Sequence, residues 1–380
     1  MDNFTFHNPT RIIFGKDAVG QIGGVIKEAG LSRVLLVAGG GSIRKNGVYD
    51  TVARSLKEAG LTSVEAWGVR PNPVLAKARE IIAQAQKEKV DAVLAVGGGS
   101  VIDTAKSVAA GVFLPDLWAA FERQVEVTRA LPIFVVLTMS GTGSEMDPLA
   151  VLTHEEDVKK WVLRSPALFP VASIIDPTVQ QSLPWHQTVN GAIDAMTHVM
   201  EFYFLGTWEE TTLALDESLM RTIIKMTHLL QQNPLGYEPR ANLAWAASLA
   251  LNGLTGVGLR EGDFATHRLE TAMSAVFPEI AHGAGLGVLF PAWILYMKDY
   301  NPATFARWAR EVWEAGSVEE GVAKMLRTFQ GWDAPVTLEE LGVSEADIPA
   351  IVAAAQKVGV LGRLKELTAE DLAAILRLAL

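Results

Sequence analysis

Two short stretches constrain this chain more than any other part of it. LLVAGGGS (35–42) and VLAVGGGS (93–100) each run from an apolar segment into three glycines and a serine, and a helical pattern follows each. A strand that ends in glycines at the start of a helix is half of a βα unit. Four more strand-like runs lie in the first half: RIIF (11–14), SVEAWG (63–68), IFVVLT (133–138) and ASIID (172–176). Helical patterns over 17–29, 43–60, 74–89 and 100–112 separate them. The strand segments are apolar almost throughout, as strands must be when both faces are covered. The alternation predicts an α/β domain on a parallel sheet.

The pattern changes after LPWHQT (183–188). From there the periodicity is helical to Leu380 with no strand, and NPLGYEPR (233–240) and FPEIAHG (277–283) read as loops between helices. The boundary falls at about 185, giving an α/β domain over 1–185 and an all-helical domain over 186–380. No Gly/Ser linker intervenes, which predicts close packing of the two. Near the end, Thr368 is a candidate N-cap, with Glu370 and Asp371 in the first turn.

Composition removes several classes. Across 380 residues the net charge is −10, against the basic face that nucleic acid requires. There is no cysteine, so disulfides, thiolate metal sites and thiol nucleophiles are excluded, and a metal would be held by His, Asp or Glu. No apolar run approaches the ~18 residues of a membrane span. The start, MDNFTFHNPTRIIFG, lacks a basic segment followed by an apolar one, as a secretion signal would have. These features predict a cytoplasmic protein with no membrane or nucleic-acid partner.

The glycine turns have the chemistry of an anion site. Backbone N–H groups at a helix start carry partial positive charge, and glycines let a phosphate come close. The order Gly97, Gly98, Gly99, Ser100 is not GxGxxG, and a tight turn needing positive φ is the plainer alternative. In Gly39, Gly40, Gly41, Ser42 no acid follows that would bind a ribose 2′-hydroxyl, while Arg44 and Lys45 stand close behind. That favours NADP(H) over NAD(H), unless both cations are merely solvated. LTMSGTGSEMD (137–147) is a third loop of small polar residues, in which Thr138 and Thr142 could bond a cofactor.

Asp194 and His198 in GAIDAMTH are four apart in a helical stretch and share one face. His267 and His282 lie in similarly apolar, helix-like surroundings. A buried carboxylate needs a partner. A divalent cation held with three imidazoles supplies one; an Asp–His hydrogen bond without metal is the alternative. His7, His154, His186 and His228 read as ordinary core or surface residues.

The motifs GGGSxxDxxK (97–106), GxxDAxxHxxE (191–201), and His267 with His282 followed by GAGLGVLFPAW closely resemble the iron-containing (group III) alcohol dehydrogenases. The butanol dehydrogenase and NADPH-dependent aldehyde reductase branch is the most similar, and the likeness covers essentially the whole chain. It implies a dehydroquinate synthase-like fold with the active site in the cleft between the domains. It implies metal ligands Asp194, His198, His267 and His282 for Fe2+ or Zn2+, and cofactor contacts at Gly39, Gly40, Ser42, Pro71, Gly97, Gly98, Gly99, Ser100, Asp103, Thr138, Thr142 and Lys160. It also implies a homodimer or higher homo-oligomer and a small alcohol or aldehyde substrate.

The chain departs from the family pattern at four places. Thr271 stands where relatives often carry a second histidine, and Asp147 where they often have Asn. The loop before His282 is longer by a residue around Phe277 and Pro278, and the stretch near Lys357–Leu361 is shorter. Thr271 is therefore a candidate catalytic residue only as a neutral bridge in a proton path, and Met196, Phe202, Trp245 and Phe264 are candidate pocket linings. Glycerol dehydrogenase and dehydroquinate synthase are rival readings of the same architecture. The synthase would need several cations near the metal, and here Arg260 and Arg268 are the candidates near His267. A nucleotide-binding protein with a fully coordinated structural metal is the third reading.

Overall fold

The computed structural model describes residues 1–259 and 261–380. The chain forms two compact units. One comprises His7–Leu183 with Leu235–Ala244; the other comprises Met1–Phe6, Pro184–Pro234 and Trp245–Leu380.

The first unit is built on a six-stranded sheet. Its strands are β1 (Arg11–Phe14), β2 (Arg33–Ala38), β3 (Thr62–Ala66), β4 (Ala92–Gly97), β5 (Ile133–Leu137) and, after a hairpin of β6 (Leu149–His154) and β7 (Lys159–Arg164), β8 (Ala172–Ile175). The sheet order is β1-β8-β5-β4-β2-β3 and every pairing is parallel. Strand side chains alternate between faces. Leu35, Val37, Val93, Ala95, Val135 and Leu137 enter one core, while Val34, Leu36, Ala38, Leu94, Val96 and Val136 enter the other. A sheet covered on both sides is what the uninterrupted apolar runs predict.

From β2 the chain moves to β3 at one edge; from β4 it moves the other way, through β5 to β8. The direction therefore reverses between the neighbouring strands β2 and β4. Open α/β sheets bind ligands at such a switch point, beyond the carboxyl ends of the strands. Both glycine runs lie there.

The antiparallel β6–β7 hairpin is missing from the sequence-based expectation. Its half-buried alternation was present in LAVLTH, but the charged EEDVKK turn masked it. Among its described residues the second unit is helical, with one isolated bridge between Leu361 and Leu367. The stretch expected as a loop over 233–240 turns helical at Tyr237, because Pro239 sits in the first turn, where its missing N–H costs nothing. The loop expected over 277–283 ends one residue before His282, which opens its helix. Thr368 caps the last helix in a reciprocal bond pair with Asp371. Among the described residues no helix is long and apolar enough to cross a membrane.

Candidate active site

Three helices of the second unit bring the four residues together. The helix Trp185–Tyr203 carries Asp194 and His198, Ala265–Val276 carries His267, and His282 is the first residue of His282–Met297. The last approach depends on glycine. A Cβ on Gly283 would lie 2.1 to 2.8 Å from backbone atoms of Asn190, with the carbonyl oxygen at 2.1 Å. One turn on, a Cβ on Gly287 would meet Ile193 at 3.2 Å. The GAGLG run thus lets this helix lie against the one bearing Asp194.

All three imidazoles present Nε2 to the same atom. Asp194 Oδ1 lies 3.6 Å from His198 Nε2, 3.8 Å from His267 Nε2 and 3.8 Å from His282 Nε2. These separations exceed hydrogen-bonding distance, and both Asp194 Oδ1 and His267 Nε2 are buried without a hydrogen-bond partner. Atoms sharing a tetrahedral cation at ~2.1 Å would sit about 3.4 Å apart. Ligand atoms of Asp194, His267 and His282 all fall within 4.8 Å of one another. The rings of His198 and His267 stack with centroids 4.5 Å apart. An orphaned carboxylate oxygen and converging imidazole nitrogens, with no sulfur, fit a divalent ion such as Fe2+ or Zn2+.

The electrostatics point the same way. Burial alone would raise the Asp194 carboxyl, but the surrounding imidazoles overcome it and hold it well below the usual carboxylate range. Burial would lower His267, yet Asp194 and Glu201 push it up to about 9. The pocket is built to hold positive charge.

In the first unit, Gly39–Gly41 follow β2 and Gly97–Gly99 follow β4. Gly41 has φ 103°, a conformation that favours glycine. The helix Gly99–Gly111 starts without a side-chain cap. A Cβ on Gly99 would lie 2.5 Å from Thr142 Cγ2, and one on Gly98 would lie 3.2 Å from Met139 Cβ, so the loop after β5 seats against the glycine run. Thr138 N donates to the Gly97 carbonyl at 3.0 Å. Lys160 donates to Asn72 Oδ1 at 2.9 Å, next to Pro71. The Asp103 carboxylate accepts from the Ser144 hydroxyl at 2.7 Å and from Val151 N at 3.2 Å.

Comparison with known proteins identifies the chain. The model of the iron-containing alcohol dehydrogenases matches residues 9–177, and that of the family's C-terminal part matches 188–380. This chain belongs to the iron-containing alcohol dehydrogenases. It is 38% identical to the probable NADH-dependent butanol dehydrogenase 1 of Bacillus subtilis, covering 100% of both chains. It is 34% identical to the NADPH-dependent aldehyde reductase YqhD of Escherichia coli, covering 93% of this chain and 92% of that one. The crystal structure of NADH-dependent butanol dehydrogenase A from Thermotoga maritima superposes with a TM-score of 0.98 at 47% identity, covering 100% and 99% of the two chains. The protein is thus an oxidoreductase of the alcohol dehydrogenase and aldehyde reductase class, and its fold is of the dehydroquinate synthase-like kind.

In this alcohol dehydrogenase two carboxylates that sequence reasoning passed over buttress the site. Glu201 Oε1 lies 2.7 Å from His267 Nδ1 and accepts from His267 N at 3.1 Å and from the Thr266 hydroxyl. Glu270 Oε2 bonds His282 Nδ1. Each carboxylate holds its imidazole with Nε2 facing Asp194. Glu201 closes the GxxDAxxHxxE motif and Glu270 follows His267 by three residues, but each bonds an imidazole of a different helix, which spacing along its own helix does not report.

The other candidates divide. Phe264, with φ 51°, packs edge-on to His267 at 5.6 Å and to Phe202 at 5.3 Å, forming an apolar wall. Met196 is buried in its helix, whereas Trp245 is exposed. The Thr271 hydroxyl donates to the His267 carbonyl at 2.6 Å, within its own helix. Arg268 donates to the Val360 carbonyl at 2.8 Å; Arg260 lies outside the described residues.

Proposed function

We propose that the protein interconverts small primary alcohols and aldehydes of butanol-like size by reversible hydride transfer with a nicotinamide cofactor, at a divalent metal held by Asp194, His198, His267 and His282. One observation carries this reading: three imidazole nitrogens converge on a single buried carboxylate oxygen that has no hydrogen-bond partner. A cation there, Fe2+ or in its place Zn2+, would polarise the substrate oxygen and offset the negative charge that grows on it as hydride arrives from the nicotinamide.

The chain's own residues divide the remaining work. Glu201 and Glu270 fix the tautomer and direction of His267 and His282. Phe202 and Phe264 keep water from one side of His267 and suit an alkyl substrate. The Thr271 hydroxyl, 2.6 Å from the His267 carbonyl, would act only as a neutral bridge, with water or a ribose hydroxyl of the cofactor as the alternative carrier of the proton. Of the described cations near His267, Arg268 is engaged by the Val360 carbonyl rather than turned to a phosphate or carboxylate of a synthase-type substrate.

On the nucleotide side, the backbone N–H groups of Gly97, Gly98, Gly99 and Ser100 receive the phosphates. Gly39, Gly40 and Ser42 border the adenosine ribose, with Pro71, Thr138, Thr142 and Lys160 along the cofactor. Asp103 acts indirectly, by holding Ser144 and Val151. NADP(H) is admitted because no acid stands in the turn at 39–45. Its advantage over NAD(H) depends on whether Arg44 and Lys45 can reach a 2′-phosphate. The α/β unit is the cofactor domain and the helical unit the metal and substrate domain, and the enzyme works as a homodimer or larger assembly in the cytoplasm.

The test is a panel of short-chain aldehydes from ethanal to hexanal, run with NADPH and NADH side by side on metal-replete protein. Turnover peaking near butanal is expected. Stoichiometric metal without turnover of any aldehyde would favour a structural metal instead.

A further inference from the structure

The helix Ser42–Lys45 begins directly after the glycine turn, and Arg44 N donates to the Gly41 carbonyl at 3.1 Å. The Arg44 side chain lies over two aromatic rings. Its guanidinium carbon lies 4.1 Å from the centre of the Trp67 ring and 5.0 Å from that of Tyr49. The two rings stand 5.5 Å apart. Its Nη2 lies 3.3 Å from Glu65 Oε2.

Glu65 is the anchor of this cluster. Oε2 also accepts from Trp67 Nε1 at 2.7 Å, and Oε1 accepts from the Tyr49 hydroxyl. Three donors on one carboxylate keep it ionised: burial would raise it, but the bonds from Tyr49, Trp67 and Arg44 leave it lowered. On the sheet Glu65 pairs with Leu36, three residues before Gly39. Beyond β3, Gly68 N still bonds the Gly39 carbonyl and Val69 N the Ala38 carbonyl, both at 3.2 Å. Trp67 is therefore carried up alongside the turn.

A 2′-phosphate is recognised by a free guanidinium in forked contact, whereas a 2′-hydroxyl needs none. Here the arginine nearest the turn is already engaged by a carboxylate and stacked on two rings. We propose that Glu65 sets the NADPH-to-NADH preference of this chain by holding Arg44 against Trp67 and Tyr49, away from a 2′-phosphate at the Gly39–Ser42 turn. The proposal rests on the nucleotide reading of that turn. Glu65 accepts from Tyr49, Trp67 and Arg44 and faces the turn through Arg44, so it is a positioning residue for the cofactor.

The experiment compares kcat/KM for NADPH and NADH in the parent protein, Glu65→Gln, Arg44→Met and the double variant. Glutamine keeps the size and an acceptor for Trp67 but not the charge that draws Arg44. Glu65→Gln should raise the NADPH-to-NADH ratio about tenfold, through a lower KM for NADPH, with kcat for NADH within about twofold. The gain should vanish in the double variant. A ratio unmoved by Glu65→Gln, or a gain that survives Arg44→Met, would overturn the proposal. Calorimetric binding of adenosine 2′,5′-bisphosphate against ADP reads the same preference without turnover. Failure of the dehydrogenase reading would then appear as binding without catalysis, whereas parent protein that binds neither nucleotide would overturn the role of the turn and this proposal with it.

Discussion

Asp194→Ala should abolish metal binding and lower kcat/KM for butanal by at least about a thousandfold, since Lewis-acid stabilisation supplies several kcal/mol and each 1.4 kcal/mol is a factor of ten. The Asp194 Oδ1 atom is the point on which the three imidazoles converge, and it supplies the negative charge of the set. The same substitution should also lower the stability of the metal-free protein at neutral pH, because the imidazoles that hold the Asp194 carboxyl below the usual carboxylate range lose their counter-charge. Thermal unfolding in the presence and absence of Zn2+ separates the two effects. Added metal should raise the Tm of the parent protein and not that of the variant. A variant that retains stoichiometric metal would place the cation elsewhere.

Lys106→Met should be the most damaging single change in the α/β unit. Lys106 is fully buried, and its ammonium donates to Asp147 Oδ1 at 2.7 Å, to the Asp147 and Leu149 carbonyls at 2.8 Å each and to Ser144 Oγ at 3.0 Å. Ser144 in turn bonds Asp103. The network ties the helix that starts at the glycine run to the loop after β5 and to β6. The ammonium bonds buried Asp147 directly and half-buried Asp103 through Ser144, and Asp103 is pushed up to about 7, chiefly by burial, against the pull of Lys106. Removing the ammonium leaves Asp147 uncompensated, which costs about 3–5 kcal/mol. For a unit of this size that lowers Tm by on the order of 10 °C. Asp147→Asn added to Lys106→Met should recover part of the loss, because it removes the stranded charge. Equal stability of the single and double variants would show that the ammonium matters for its volume rather than its charge.

Much of the architecture was legible because two strong periodicities divide the chain. Runs such as RVLLVA and AVLAVG cannot be amphipathic helices, and their burial on both faces follows from that alone. The hairpin at Leu149–Arg164 escaped because β7 opens with lysines on both faces, at Lys159 and Lys160, and joins β6 through an acidic turn. Asp194 and His198 declare themselves through one-turn spacing in an apolar helix. His267 and His282 share no such spacing with them, and only the tertiary fold, including the contact of Gly283 with Asn190, brings them to the same oxygen. Glu201 and Glu270 hid for a different reason: a helical glutamate usually reads as a solvated residue, and nothing local reports that its partner is an imidazole on another helix or in the next one. Arg44 shows the same limit. Its charge and place after the turn were visible, but its partner Glu65 lies 21 residues away on the neighbouring strand.

The account stands on metal-dependent turnover. Protein stripped with a chelator, desalted and assayed for NADPH- and NADH-linked reduction of butanal should be inactive, and stoichiometric Fe2+, or Zn2+ to a lesser extent, should restore the rate, with one metal bound per chain. Full activity in protein that demonstrably carries no metal would contradict it.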